Sequence, residues 1–107
     1  MKQWEQLQWY VAQQLIQLGI KARPTKASGG STELGDVLNE IFLVECKQRN
    51  TKNITINLRV WEKNKADLPI NSKRTPILVL ENKEKKRFVV VEANDFFEML
   101  KDRRIYG

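Results

Sequence analysis

Residues 35–47 read GDVLNEIFLVECK, and this stretch decides the fold that the sequence predicts. The apolar run at 41–44 has the composition of a strand, and the polar residues 39–40 before it are typical of a turn. We therefore expect a hairpin here. Because side chains alternate between the two faces of a strand, Glu45 and Lys47 should point the same way and Cys46 the other.

A charged pair thus ends an otherwise apolar strand, with Asp36 nine residues before Glu45. Burying a carboxylate and an amine is costly unless the groups are paired or bind a cation. Asp36, Glu45 and Lys47 could together surround one divalent cation, which makes them a candidate site. The alternative is a salt-bridge cluster at strand ends, where each pair is worth about 0–1 kcal/mol.

Hydrophobic periodicity predicts a first helix from about Lys2 to Leu18, with Gly19 as its C-terminal stop. Glu5 lies at or inside the apolar arc of this helix. It could simply interact favourably with the positive end of the helix dipole, or it could be a third acid that approaches the cation. Residues 20–25 favour a short extended segment.

A second helix is expected from the cap residue Asn57 to about Ala66, with Leu58 and Trp61 directed inward. The apolar runs at 77–80 and 88–91 predict two strands. Their continuous apolar character favours burial on both faces. Asn94 is expected to cap a final helix.

This order of elements predicts an α/β domain with a central mixed β-sheet flanked by helices, and with the carboxylate strands in its middle. A chain of 107 residues fits a single domain over residues 1–107. The apolar runs are too short for a membrane span and the first residues lack a secretory signal, so we expect no membrane partner and a cytoplasmic location.

The inventory of side chains limits the chemistry. The chain has no histidine and Cys46 as its single cysteine, which excludes an internal disulfide, a Cys/His zinc site and histidine-dependent catalysis. A metal would be a hard cation held by oxygen, and Mg²⁺ or Mn²⁺ are the natural candidates.

The formal net charge is +6, and the block at 47–87 carries twelve Lys and Arg against four Asp and Glu. A polyanion guided toward the carboxylates is one interpretation, although many small proteins carry surplus lysine without a nucleic-acid partner. The segment 26–32 combines two glycines with hydroxyl side chains. It could approach a phosphate closely or be an ordinary connector.

The GD pair at 35–36 followed by ECK at 45–47 resembles the PD-(D/E)xK nuclease signature, with glycine in place of its proline. With Glu5, the loop 28–32 and the segment 61–80, the chain resembles archaeal and phage-type Holliday-junction resolvases over almost its whole length.

The resemblance implies a restriction-endonuclease-like core, Mg²⁺-dependent cleavage, and a homodimer whose two sites cut opposite strands of branched DNA in recombination and repair. The host cytoplasm would be the location for a phage protein. By this resemblance Glu5, Asp36 and Glu45 would bind the metal, and Lys47 would be the catalytic lysine. The candidate nucleic-acid contacts, from the loop and the basic block, are Ser28, Ser31, Thr32, Gln48, Arg49, Lys52, Arg59 and Lys63.

Three other functions remain open at this point. The same fold could cut flaps, single strands or duplex DNA. The chain could also be a basic module that binds nucleic acid without cleaving it, or an interaction protein in which the ExK triplet is accidental.

Overall fold

The computed structural model describes residues 2–25 and 35–103. In chain order its elements are α1 (Gln3–Gln17), β1 (Arg23–Pro24), β2 (Val37–Leu38), β3 (Phe42–Gln48), α2 (Leu58–Ala66), β4 (Thr75–Glu81), β5 (Arg87–Val90) and α3 (Ala93–Arg103). These strands form one sheet in the order β1-β2-β3-β4-β5, in which β3 and β4 are parallel and the other neighbouring pairs are antiparallel. The predicted mixed sheet flanked by helices is confirmed, and β3 lies in its middle. Within these ranges, no helix is both long and apolar enough to cross a membrane.

Helix α1 packs on one face of the sheet through residues spaced three and four apart, the period of an amphipathic helix. Trp4 and Leu18, which the same periodicity placed on this stripe, are 39% and 63% exposed because each lies at an end of the helix. The predicted stop is confirmed, since Gly19 has a φ of +83°. The core on this face comprises Leu7, Val11, Ala12, Leu15, Val37, Val44, Ile77 and Val79.

The opposite face of the sheet carries α2. Its core is Trp61 with Leu78 and Leu80 of β4. In the parallel register, Leu78 lies beside Glu45 and Leu80 beside Lys47. Laterally adjacent residues share a face, so Glu45 and Lys47 lie on the α2 face of the sheet.

The turn between β2 and β3 is held by one buried side chain. Asn39 donates from Nδ2 to the carbonyl of Val37 and accepts at Oδ1 from the N–H groups of Ile41 and Phe42. Asparagine favours such local turns because its amide can satisfy several backbone groups at once. The predicted hairpin is therefore confirmed, and its register is fixed.

Helix α2 begins where it was predicted. Asn57 Oδ1 accepts a hydrogen bond of 3.0 Å from the N–H of Arg59 and caps the helix. The inward position predicted for Leu58 is wrong, because this residue of the first turn is 67% exposed. Trp61 alone among the α2 residues is buried.

Two expectations about the C-terminal part are also wrong. β5 is the last strand of the sheet and is not buried on both faces, with Phe88 47% and Val89 62% exposed. α3 starts at Ala93, one residue before the predicted cap, and the N–H of Phe96 donates to the carbonyl of Glu92. Asn94 therefore lies within the first turn of the helix.

The buried carboxylate of Glu81 joins the ends of three strands on the α1 face. It accepts hydrogen bonds from Gln48 Nε2 at 2.6 Å and Arg87 Nε at 2.8 Å, and Lys85 Nζ lies 3.7 Å away. The Arg87 guanidinium also lies 4.3 Å from the centre of the Tyr10 ring on α1. Burial alone would raise the pKa of Glu81, but these hydrogen bonds and positive charges outweigh it and lower the pKa.

Candidate active site

Asp36 is oriented by backbone contacts at the start of β2. Its N–H donates to the carbonyl of Val44, and its Oδ2 accepts from the N–H of Cys46, both at 2.7 Å. Its carbonyl accepts from the N–H of Thr25 at 3.0 Å. The side chain is thereby directed at β3 rather than into solvent.

Gly35 is required by the close approach of these strands. It has a φ of +77°, and a Cβ at this position would lie 2.8 Å from the carbonyl oxygen of Val44. Proline has a φ near −65° and cannot adopt this conformation. The glycine that departs from the nuclease signature is thus explained by the local backbone.

Asp36 and Glu45 face each other across the hairpin. Val37 pairs with Val44 in the antiparallel register, so the next residues outward are opposite one another on the α2 face. Their carboxyl groups are joined by a hydrogen bond. Burial, the charge of Asp36 and this hydrogen bond together raise the pKa of Glu45 to about 7. Two carboxyl groups in contact hold a proton or a cation between them, because both cannot be ionised at low cost.

Lys47 lies two residues beyond Glu45 on the same face of β3 and is partly buried. Its positive charge acts on Glu45 in the direction that lowers the pKa. The structure therefore brings three of the four predicted catalytic residues to one face of two adjacent strands.

Cys46 is directed at α1 and packs against the core on that side. Burial raises the pKa of its thiol, and the negative charges of Asp36 and Glu45 add to the effect. The thiol therefore stays protonated, and it is not a candidate nucleophile.

Asp67 is an acid near this pair that the sequence did not single out. It forms the C-terminal cap of α2, and its charge contributes to the raised pKa of Glu45. An acid at the negative end of a helix dipole is unfavourable, which is the signal that could have identified it. One turn earlier, Asn64 has a buried Nδ2 without a hydrogen-bond partner among the described residues.

Glu5 is not brought to the pair. It lies on α1, the helix that packs on the opposite face from Glu45, and it is not among the groups that shift the pKa of Glu45. Over residues 2–25 and 35–103, no three or more His, Cys, Asp and Glu side chains are grouped to hold a metal ion. A role for Glu5 in metal binding stays a prediction.

The predicted nucleic-acid contacts differ in their position, exposure and hydrogen-bond partners. Ser28, Ser31 and Thr32 lie outside the described residues. Gln48 donates to Glu81 on the α1 face, and Arg49 Nη1 donates to the carbonyl of Gln48 at 3.2 Å. Lys52 is exposed, 3.9 Å from Glu84. Arg59 and Lys63 are exposed on α2, the helix on the side of the carboxyl pair.

The donor set of this site suits one kind of ion. Mg²⁺ is commonly held by one or two carboxylates, while waters and substrate phosphates complete its octahedral shell. The contact between Asp36 and Glu45 supplies two such carboxylates, and the proton that they hold is one that a cation could replace. The residues present therefore fit Mg²⁺ or Mn²⁺ without a closed protein cage.

Comparisons with protein-family models, with curated proteins and with solved structures found no match to this chain. Its function therefore has to be argued from the site itself. The feature available for that argument is a carboxyl pair beside a lysine, on one face of the central strands of a mixed sheet.

Proposed function

We propose that this chain is a metal-dependent DNA endonuclease with a restriction-endonuclease-like core, and that it acts on branched DNA as a Holliday-junction resolvase. The observation that carries the proposal is the contact of Asp36 with Glu45, with Lys47 on the same face. The resemblance of residues 35–47 to the PD-(D/E)xK signature supports the same reading. A homodimer and a role in DNA recombination and repair belong to this proposal.

Each side chain has a defined role in phosphodiester hydrolysis. Asp36 and Glu45 would hold Mg²⁺ or Mn²⁺, which would polarise the phosphate and lower the pKa of a bound water. The Asp36 carboxylate is aimed by the N–H of Cys46, so its orientation does not depend on the ion. Lys47 orients the attacking water or neutralises the charge that develops on the phosphate.

The charge distribution supports a nucleic-acid substrate. The basic block at 47–87 has a surplus of eight positive charges, and its exposed members Arg59 and Lys63 belong to the helix on the side of the carboxyl pair. Contacts of lysine and arginine with phosphates supply most of the affinity for DNA without sequence specificity. The same block supports the second candidate function, a basic module that binds DNA and cleaves nothing.

A cleavage assay separates these functions. Four-way junction, flap, duplex and single-stranded DNA are incubated with the protein and Mg²⁺. We expect the junction to be cut in preference to the others. Cutting of flaps or plain duplex at the same rate would replace the resolvase by a nuclease of another specificity, and binding without any cutting would favour the basic module.

Two variants test the assignment of the site. Asp36→Asn and Lys47→Ala should each lower the cleavage rate by roughly a hundredfold or more, because each removes charge that stabilises the transition state. DNA affinity, measured by fluorescence anisotropy across a salt series, should change by about threefold or less. The matched controls are Glu40→Gln and Lys73→Ala, exposed residues outside the site. Activity that survives both site variants would show that the chemistry lies elsewhere.

A further inference from the structure

The sheet ends at β5 in an edge that exposes apolar side chains. β5 pairs with β4 on one side, and no other strand of the described residues pairs with its second edge. Natural edge strands are commonly blocked by proline, charge or a bulge. β5 is short and begins with the charged Arg87, but the run Phe88-Val89-Val90 after it contains neither proline nor charge. The first two side chains of this run are about half exposed or more, at 47% and 62%.

Apolar hollows flank this edge on both faces of the sheet. The hollow on the α1 face has a volume of about 450 Å³ and is bordered by α3, and the one on the α2 face has a volume of about 650 Å³. Phe96 and Ile56 at their rims are 42% and 49% exposed. The apolar residues nearest the edge are Val89, Val91, Phe96 and Met99 on the first face, and Ile56 and Phe88 on the second.

The two ends of β5 carry opposite charge. The segment 83–87, which leads into the strand, has four basic residues and one acidic residue. The segment 91–98, which follows it, has three acidic residues and no basic one. Part of this charge is already paired within the chain: Lys85 and Arg87 with Glu81, Glu92 with Lys65, and Glu98 with Lys101. Lys86 and Asp95 have no ion pair within 4 Å among the described residues, so each end keeps unpaired charge of opposite sign.

This charge pattern along β5 is complementary to that of a second copy of the same strand. In an antiparallel pair of two identical strands, the start of each lies beside the end of the other, so the basic segment of one copy meets the acidic segment of its partner twice. A parallel pair would place like charges together. The edge is therefore complementary to itself in one orientation, as an interface with two-fold symmetry requires.

We propose that β5 pairs antiparallel with β5 of a second copy of this chain, joining the two sheets into one of ten strands. Burial of Phe88, Val89 and Phe96 across the two-fold axis stabilises the dimer. The opposite charges of segments 83–87 and 91–98 determine the antiparallel orientation. This interface stands on the edge strand alone and needs no nuclease activity.

One consequence does rest on the proposed function. A two-fold axis between antiparallel strands of a sheet is perpendicular to the sheet, so the α2 faces of both copies point the same way. The two β3 strands are then five strand spacings apart, or about 24 Å. Both carboxyl pairs would face a single branched DNA from one side, as paired cutting of opposite strands requires.

Val89→Lys tests the interface. Val89 is already 62% exposed, so the folded monomer should tolerate the change, whereas the dimer would bury an unpaired charge. Sedimentation equilibrium over a concentration series should show the dissociation constant of the dimer raised by roughly tenfold or more. Leu18→Lys is the matched control, since Leu18 is 63% exposed and lies five residues before β1, the strand at the opposite edge of the sheet. It should leave the dimer unchanged.

A charge exchange tests the orientation. Lys86→Glu and Asp95→Lys should each weaken the dimer by roughly threefold or more, and the double variant should recover most of the loss because opposite charges again meet across the axis. Circular dichroism checks that each variant is folded. If the double variant lost as much dimer affinity as the two single variants together, the antiparallel arrangement would be excluded.

Two other outcomes would overturn the proposal. One is a wild-type chain that is monomeric at every concentration. The other is a dimer that Val89→Lys leaves intact. Because the readout is oligomeric state, a failed dimer and a failed nuclease remain distinguishable: a dimer that cuts nothing would contradict only the proposed function.

Discussion

The carboxyl group of Asp36 is hydrogen-bonded to that of Glu45, opposite it in the hairpin formed by β2 and β3. The arrangement depends on Gly35, which lets the backbone approach Val44, and on Asn39, which holds the turn. Because the pKa of Glu45 is raised to about 7, the pair holds a proton below that pH and can take up a cation above it. The stability of the protein should therefore respond to both.

The first prediction concerns pH. The pKa of Glu45 is raised from 4.5 to about 7, so the folded state binds a proton that the unfolded state has released between these values. The stabilising contribution is complete below about pH 4.5 and is lost as the pH rises through about 7. A pKa shift corresponds to about 1.4 kcal/mol of stability per unit. Solvent around this half-buried group reduces that amount, and we expect the free energy of unfolding to fall by about 1–2 kcal/mol.

Urea unfolding from pH 5 to pH 8.5 without divalent cations measures this loss. Glu45→Gln has no titrating group at this position, so its free energy of unfolding should fall less as the pH rises. The variant should therefore be more stable than the wild type at high pH. Glu40→Gln at the exposed turn is the control. If the free energy of unfolding depended on pH equally in Glu45→Gln and the wild type, the raised pKa of Glu45 would be contradicted.

The second prediction concerns cations. At pH 8, where Glu45 is mostly ionised, Mn²⁺ or Mg²⁺ should raise the melting temperature because the ion binds the folded pair and not the unfolded chain. An ion at a hundred times its dissociation constant would add about 2.7 kcal/mol. Calorimetry with increasing Mn²⁺ measures the shift.

Asp36→Asn should remove most of this shift. The variant keeps a side-chain oxygen for the N–H of Cys46 but loses the charge, so the local structure is preserved while the cation site is weakened. A cation-induced shift as large in Asp36→Asn as in the wild type would place ion binding at another position.

The third prediction separates two glycines that both have positive φ. Gly35→Ala should destabilise the fold by about 3 kcal/mol, because an alanine there is strained and its Cβ meets the carbonyl oxygen of Val44 at 2.8 Å. Gly19→Ala is the matched control, with a φ of +83° and no atom within 4 Å of the added Cβ. It should cost about 1–2 kcal/mol. Equal losses in chemical unfolding would show that the contact with Val44 is unimportant.

The fourth prediction concerns Glu81. Glu81→Leu removes the buried acceptor of the Gln48 amide and of the Arg87 guanidinium, whose side chain is 31% exposed, and should cost about 1–3 kcal/mol. Glu84→Leu, an exposed acid in the following turn, should change the free energy of unfolding by about 0.5 kcal/mol or less. A small effect at Glu81 would show that the ion pair contributes little net stability.

Local features predicted the elements well where a single residue determines the backbone. Gly19 ends α1 and Asn57 caps α2 because each acts on its own neighbours in the chain. The errors arose where burial depends on distant elements. Phe88 and Val89 have the composition of a buried strand, but no strand or helix of the described residues fully covers them. Leu58 was placed inward by helical spacing, and the sheet meets the helix at Trp61 instead.

For the site, alternation along β3 was enough to place Glu45 and Lys47 on one face, since strand geometry has a fixed period of two. The sequence by itself therefore determined the hairpin, the central strand and which side chains share its face. Only the tertiary structure decided that Asp36 hydrogen-bonds Glu45, that Asp67 rather than Glu5 acts on the pKa of Glu45, and that β5 is an exposed edge among the described strands. Those outcomes depend on register and on packing between elements far apart in the chain, which local propensity does not encode.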